Sequence, residues 1–385
     1  MPKSASAQPK QLTDQATLDC TIKVLKRHFD LSAEGYICQT DDLYRVMVNA
    51  AAHCSTIEAA CADLANAPDS NTVRGYLNAQ FTAGTIRALE HDCNRALYSQ
   101  WPHWLWSLAL DLAIDLHDEC YYGASDDDDP TAWVCRGEKQ KGTTHFYRCA
   151  TIAVVRRRVR VTLAVAFVQP TEDLLAVVQK LLKIVRGRGL RLACLYADKQ
   201  FCTIPILRDL QSQPFAAIVA VPRKGKTGGV NALCHGQKSY RTEHTFASQP
   251  NGQLTVPVGV LRAYKTNHGK RTATWLVFVL LRVTASLRHI RESYRGRFGI
   301  ETDYRSLEQV RARTTSTNPA LRFFFMALGA ILINVWMALQ WAYCRMRGSG
   351  PRRIVQGLLT LERLIRFLIR ATEAHYGVVT EIGSP

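Results

Sequence analysis

The 385-residue sequence has twelve cysteines but no C-x-x-C pair, and none of its Cys/His runs has zinc-ligand spacing. Zinc fingers, zinc ribbons and thioredoxin-like redox motifs are therefore excluded. A phosphate-cradling loop is also lacking, because the one Gly-Lys-Thr, at 225–227, has Ala220 where that loop needs its first glycine. The GRG at 187–189 is too short for a dinucleotide fingerprint. No internal repeat recurs, which excludes solenoids and propellers. The leading MPKSASAQPKQLTDQ is polar and has no apolar stretch of the secretory kind. The thiols are accordingly expected to be reduced, in a cytosolic compartment, and mostly to act as small buried hydrophobes.

Hydrophobic residues make up 47% and charged residues 21%. That balance excludes wholesale disorder, collagen and coiled coil, and the length suits two or three structural units. Lysine and arginine number 49 against 32 acids, a net charge of +17. The excess is uneven: residues 1–100 carry −2, residues 101–150 carry −5, and residues 151–385 carry +24. Such a basic region points to a polyanion, with double-stranded DNA as the expected partner, and says nothing about fold.

Along the chain, residues 14–99 read as helical. Ser55 is placed to cap a helix with Glu58 as its capping-box partner, and a second helix is expected from Asn71. Helix, turn and helix, with Arg74 and Asn78 exposed, would suit a helix-turn-helix. After Trp101-Pro102 the period changes to that of strands: LWSLALDLAID, ending at Asp115, then FYRCATIAVV and RVRVTLAVAFV as a pair. An amphipathic helix over 171–187, a strand LRLACLYAD ending at Asp198, and FAAIVAVP complete an alternating pattern. This predicts an α/β fold with a mixed sheet. Residues 223–284 are strand-rich and read as an insertion.

One uncharged run, Phe323 to Trp341, is long enough to span a membrane. In a basic chain of this kind it is expected instead to be a buried core helix, with Asn334 a satisfied core amide and no membrane partner. The expected organisation is a helical N-terminal DNA-binding domain at 1–100, a core at 101–222, the β-rich insertion at 223–284, the rest of the core at 285–347, and a helical tail at 348–385.

The densest chemistry lies in ESYRGRFGIETDYRSLEQVRARTTS. Tyr294, Arg297, Glu301, Arg305 and Glu308 are spaced by 3, 4, 4 and 3, which on a helix is one face. Such a face sets a carboxylate among guanidiniums. Gly296 and Gly299 each cost roughly 1 kcal/mol relative to alanine and count against a purely structural helix. Phosphodiester chemistry at neutral pH needs an activated oxygen nucleophile and a neutralised leaving oxygen, and paired divalent metals held by carboxylates provide both. Asp115 and Asp198 at strand ends and Glu301 on the Arg-rich helix are the matching set. Asp111 and Asp118 rival Asp115, and His117 stands two residues past it.

LAIDLHDECYYG, LYADKQF and the Y-x-x-R-x-x-x-E run at 294–301 together resemble the DDE transposases of prokaryotic insertion sequences, within them the haloarchaeal-type branch. The resemblance spans roughly residues 105–345. It implies an RNase H-like catalytic core with a β-rich insertion before the catalytic glutamate, preceded by an all-α N-terminal domain. It implies that Asp115, Asp198 and Glu301 bind two Mg²⁺ ions, for which Mn²⁺ can substitute. It assigns DNA contacts to Tyr294 and Arg297, to which Arg305, Lys199 and Arg313 are natural additions. It further implies cut-and-paste transposition: cleavage at terminal inverted repeats, then attack of the freed 3′-OH on target DNA. A homodimer on DNA and a nucleoid-associated, cytoplasmic location follow from that reaction. The sequence departs from the pattern at Glu308, where a basic residue is usual and which Arg305, Arg311 or Arg313 could replace, Arg305 sharing the face of Glu301, and at Cys120, where proline is common. A catalytically inactive DNA-binding protein derived from a transposase is the alternative reading.

Overall fold

A computed structural model describes residues 11–124, 129–156, 159–223, 227–267, 270–295, 307–346, 354–355 and 357–381. In chain order, helices α1 (Asp14–His28), α2 (Thr40–Ala52), α3 (Ile57–Ala62), α4 (Ser70–Gln80) and α5 (Ile86–Ser99) come first. Strands β1 (Ala109–Tyr121), β2 (Val134–Gln140), β3 (Thr143–Val154) and β4 (Thr162–Phe167) follow. Then come α6 (Leu174–Gly187), β5 (Arg191–Ala197), α7 (Ile204–Ser212) and β6 (Ala216–Ala220). Strands β7 (Tyr240–Ser248), β8 (Gly252–Asn267) and β9 (Lys270–Leu281) precede a helix over 287–295, here α8. Helices α9 (Pro319–Tyr343) and α10 (Leu361–Tyr376) close the chain.

These elements form two compact units, Met1–Pro102 with Tyr304–Pro385, and His103–Asp303. This corrects the expected domain borders. The long apolar helix α9, expected in the last part of the catalytic core, belongs instead with the N-terminal helices, as does the helical tail α10. The reason is visible in α9's own side chains. Asn318 caps it, accepting from the Ala320 and Leu321 N–H groups at 3.0 and 3.2 Å, and Pro319 takes the first turn. From there apolar residues point in every direction, so the helix must be covered all round. Phe324 stacks on Phe81 at 4.5 Å and meets Phe29 edge-on at 5.0 Å. Asn334, fully buried, donates to the Leu97 carbonyl of α5 at 3.4 Å, so it is the satisfied core amide expected. Gly329 lets the chain come close: an added Cβ would sit 3.2 Å from the Val310 carbonyl oxygen.

Two local expectations shift within this unit. The cap of α3 is Thr56, not Ser55, its side chain accepting from the Ala59 N–H at 3.2 Å. Helix α4 begins at Ser70 under an Asp69 cap, one residue before the expected start. Asn78 is exposed, while Arg74 is half-buried and bonded to Asn71 at 2.5 Å.

The second unit is one mixed sheet of nine described strands in the order β2-β3-β1-β5-β6-β9-β8-β7, with β4 on the other half of β3's edge. β1 pairs antiparallel with β3 and parallel with β5, and β5 pairs parallel with β6. The strand-rich insertion is not separate from this sheet. β9 pairs antiparallel with β6, so the hairpins extend the sheet itself. Strand β2 is unexpected. It turns into β3 through Lys141-Gly142, both left-handed at φ 46° and 91°, a two-residue turn whose glycine is the sequence signal for it. The first strand also differs from expectation: residues 103–107 are a 3-10 turn, and β1 runs six residues beyond Asp115 because β3 pairs with it as far as Tyr121.

Candidate active site

Across the parallel β1–β5 pair, Ala113 faces Tyr196 and Ile114 faces Ala197. Asp115 and Asp198 are the next residue on each. β5 stops there, its chain folding into a 3-10 turn over Lys199–Phe201, while β1 continues. Neighbouring strands lie about 4.8 Å apart, and side chains alternate between faces with period two. Asp198 keeps an extended backbone (φ −77°, ψ 173°), so the alternation carries through it. Both carboxylates therefore rise side by side on the face that bears Asp111, Cys194 and Tyr196. Each is half-buried and steered by a backbone N–H: Asp115 accepts from Leu116 at 3.1 Å, Asp198 from Gln200 at 2.5 Å.

The register also sorts the rivals. Asp118 lies on the opposite face, directly across from Arg148. Their side chains form two bonds, 2.6 Å from Nε and 2.8 Å from Nη2, with little exposure on either partner. The bond to Asp118 holds the Arg148 pKa above its ordinary value. Asp111 does share the face of Asp115, but it is set back by four residues. Burial raises its pKa, partly offset by His289. Cys194 beside it is pushed up to about 12, again by burial. His117 is on the same face as Asp115 by alternation and half-buried.

Helix α8 lies over this face. Ile290 and Tyr294, four apart, are both buried. The Tyr294 ring is 4.5 Å from Phe278 and 6.4 Å from Tyr196, and its hydroxyl donates to the Ala197 carbonyl at 3.4 Å. The residue before it, Ser293, sits 3.2 Å from Nε2 of His289, one turn earlier. The sequence alone did not single out Ser293, Tyr196 or His289. Their only signal is the alternation Cys194, Tyr196, Asp198 along β5.

Lys199 is exposed immediately after Asp198. Arg313 is exposed too, but in the helical unit, where its backbone N–H donates to the Ser55 carbonyl at 2.8 Å. Arg297, Glu301 and Arg305 lie outside the described residues. Residues 296–306, over which the face leading to Glu308 was expected to run, lie outside the described residues; Glu308 itself follows helical Leu307 and is in a turn at 308–309. Among the described residues no three His, Cys, Asp or Glu side chains converge for a metal, and the site as described is a carboxylate pair.

The transposase DDE domain family matches residues 128–335. The match includes Asp198, Tyr294 and residue 301, and begins thirteen residues after Asp115. No curated protein matches the sequence. Among solved structures, the piggyBac transposase synaptic complex with hairpin DNA is 12% identical, with a TM-score of 0.49 over 99% of this chain and 77% of that one.

Proposed function

The chain belongs to the transposase DDE domain family, and from that premise we propose that it is a cut-and-paste DNA transposase of a prokaryotic insertion sequence, of the haloarchaeal-type branch. Asp115, Asp198 and Glu301 are its metal-holding carboxylates. The observation that carries this reading is the β1–β5 register, which brings Asp115 and Asp198 together at the carboxyl end of β5 although 82 residues separate them. That register also supports Asp115 as the first aspartate, a position the family match does not cover. The order β4-β3-β1-β5-β6, antiparallel then parallel about β1, supports an RNase H-like core with the β7–β9 hairpins as its insertion.

The donor chemistry fits magnesium, or manganese in its place: adjacent half-buried carboxylates are hard oxygen ligands. Bound there, two such ions supply Lewis acidity toward the phosphate and toward the attacking oxygen. The protein's own part is to hold the carboxylates on a rigid strand pair and to bring the DNA backbone to them. Lys199, exposed beside Asp198, is placed to meet a phosphate, with Arg297, Arg305 and Arg313 as further contacts. The +24 charge of residues 151–385 makes DNA binding weaken steeply with salt. Two element ends must meet in one event, so the working form is a homodimer on terminal inverted repeats and target DNA, in the nucleoid.

The test uses the DNA that flanks the reading frame. With Mg²⁺, wild-type protein should nick the inverted-repeat ends and leave a 3′-OH, while Asp198→Ala should bind but not cut. If both bind and neither cuts, the chain is the inactive DNA-binding derivative instead. If both cut equally, the carboxylate assignment is wrong.

A further inference from the structure

The turn between α1 and α2 holds two neighbouring large apolar side chains out in solvent. Tyr36 is fully exposed and Ile37 is 75% exposed. Apolar residues scattered singly on a surface need no explanation, but an adjacent pair forms a small knob. The turn that carries it is braced. The Gly35 N–H donates to the Cys38 carbonyl at 3.1 Å, and Glu34 bridges to Gln39 across the turn. Gln80 of α4 bonds both backbone groups of Ser32, at 2.7 and 3.0 Å, and Thr40 Oγ1 accepts from the Ala33 N–H at 3.0 Å. Cys38, next to the pair, is fully buried.

Charge narrows what can cover the knob. Residues 29–44 include four acids, Asp30, Glu34, Asp41 and Asp42, and no lysine or arginine. Such a rim repels phosphate, so the knob suits neither DNA nor an anionic membrane. A cationic protein surface suits it, and the same unit has one. Between α1 and α2 an open hollow of about 540 Å³ is lined by four cations, Lys23, Lys26, Arg27 and Arg45, against two carboxylates, Asp19 and Asp41. Asp41 is already paired with Lys26 and, at 3.4 Å, with Arg45. Lysine and arginine stems give a hollow apolar walls, and their charged heads favour the face of an aromatic ring.

We propose that Tyr36 and Ile37 of one copy seat in the α1–α2 hollow of a second copy, and the reverse, joining two helical units. A two-fold axis makes both insertions at once. Knob against knob would instead bring two acidic rims together. The inference rests on the homodimer of the proposed function and names its surface; it does not depend on the carboxylate site.

The full-length protein is compared in three forms: wild type, Tyr36→Ser/Ile37→Ser and Lys23→Glu/Arg27→Glu. All four positions are exposed, so melting temperatures should agree. Self-association without DNA is read by sedimentation velocity. Stoichiometry and affinity on inverted-repeat duplex are read by mass photometry and fluorescence anisotropy. The wild type should dimerise, less tightly as salt rises. Each variant should weaken the dimer by about 30-fold, the loss typical of a central interface contact. The knob variant should keep its duplex affinity per chain to within about twofold. A knob variant that dimerises like wild type overturns the contact and leaves the homodimer reading standing. If that variant also loses duplex affinity, the turn is a DNA wedge instead. Weakening by the knob variant alone would overturn the hollow as the seat. A wild type that is monomeric without DNA overturns the contact, and one monomeric on duplex as well overturns the homodimer reading with it.

Discussion

The helical unit and the sheet unit are held together by different constraints. In the helical unit the decisive object is α9, apolar on every side, and its demand is coverage. Any set of helices with enough apolar surface could meet it, and what specifies the partners is shape: Phe324 against Phe81 and Phe29, Gly329 under the turn at Val310. In the sheet unit the decisive object is register. A slip of one residue between β1 and β5 would send either Asp115 or Asp198 to the other face. Chemistry in the sheet unit thus depends on register, while packing in the helical unit depends on coverage.

The comparison breaks most sharply at the carboxylates. Asp198→Asn or Asp115→Asn should lower the cleavage rate by about 10³-fold or more, since several kcal/mol of charge stabilisation is removed at about 1.4 kcal/mol per decade. Thermal melting should show no comparable loss of stability. Phe324→Ala should do the reverse, costing about 3–5 kcal/mol of unfolding free energy in denaturant titration. If Phe324→Ala is nearly neutral, coverage of α9 is not what holds the helical unit.

Arg148 tests whether the sheet unit also has a structural charge. Arg148→Met leaves Asp118 poorly exposed with its bidentate partner gone, and should destabilise by about 3 kcal/mol. Asp118→Leu combined with it should recover most of that loss, because the uncompensated charge is then removed as well. On the helical side, Thr56→Ala should cost about 1 kcal/mol as a lost cap, with Ser55→Ala costing much less. The reverse ranking would return the cap to Ser55.

The smallest expected effect is a pH dependence at Asp111. Burial raises its pKa in the folded state, so the folded protein holds that proton more tightly than the unfolded chain does. The resulting cost to stability is absent below the ordinary carboxylate range and develops as pH rises through the folded value. Asp111→Asn should therefore be more stable than wild type at pH 7 and lose that advantage below about pH 4. An advantage independent of pH would mean that the gain comes from packing.

Part of the candidate site was legible in the residues. Asp198 follows a recognisable strand and lies within the matched family region. The motif at 294–301 is specific enough to name a family. Glu308 sits next to helical Leu307, and the run that joins it to Tyr294 lies outside the described residues. Ser55 and Thr56 can both cap, and only the backbone of the folded chain makes Thr56 the cap. Strand β2 was passed over because its exposed, charged end hides the alternation.

Composition and pattern by themselves determined most of the strands and helices, the need to bury α9, and the chemical types expected for phosphodiester work. These are local properties, fixed by side-chain size, polarity and spacing along one segment. Which strands lie side by side, which aspartate faces which, and which helices enclose α9 were decided only by the folded chain. Pairing energies depend on contacts between segments far apart in sequence, and no single segment carries the information about its neighbour.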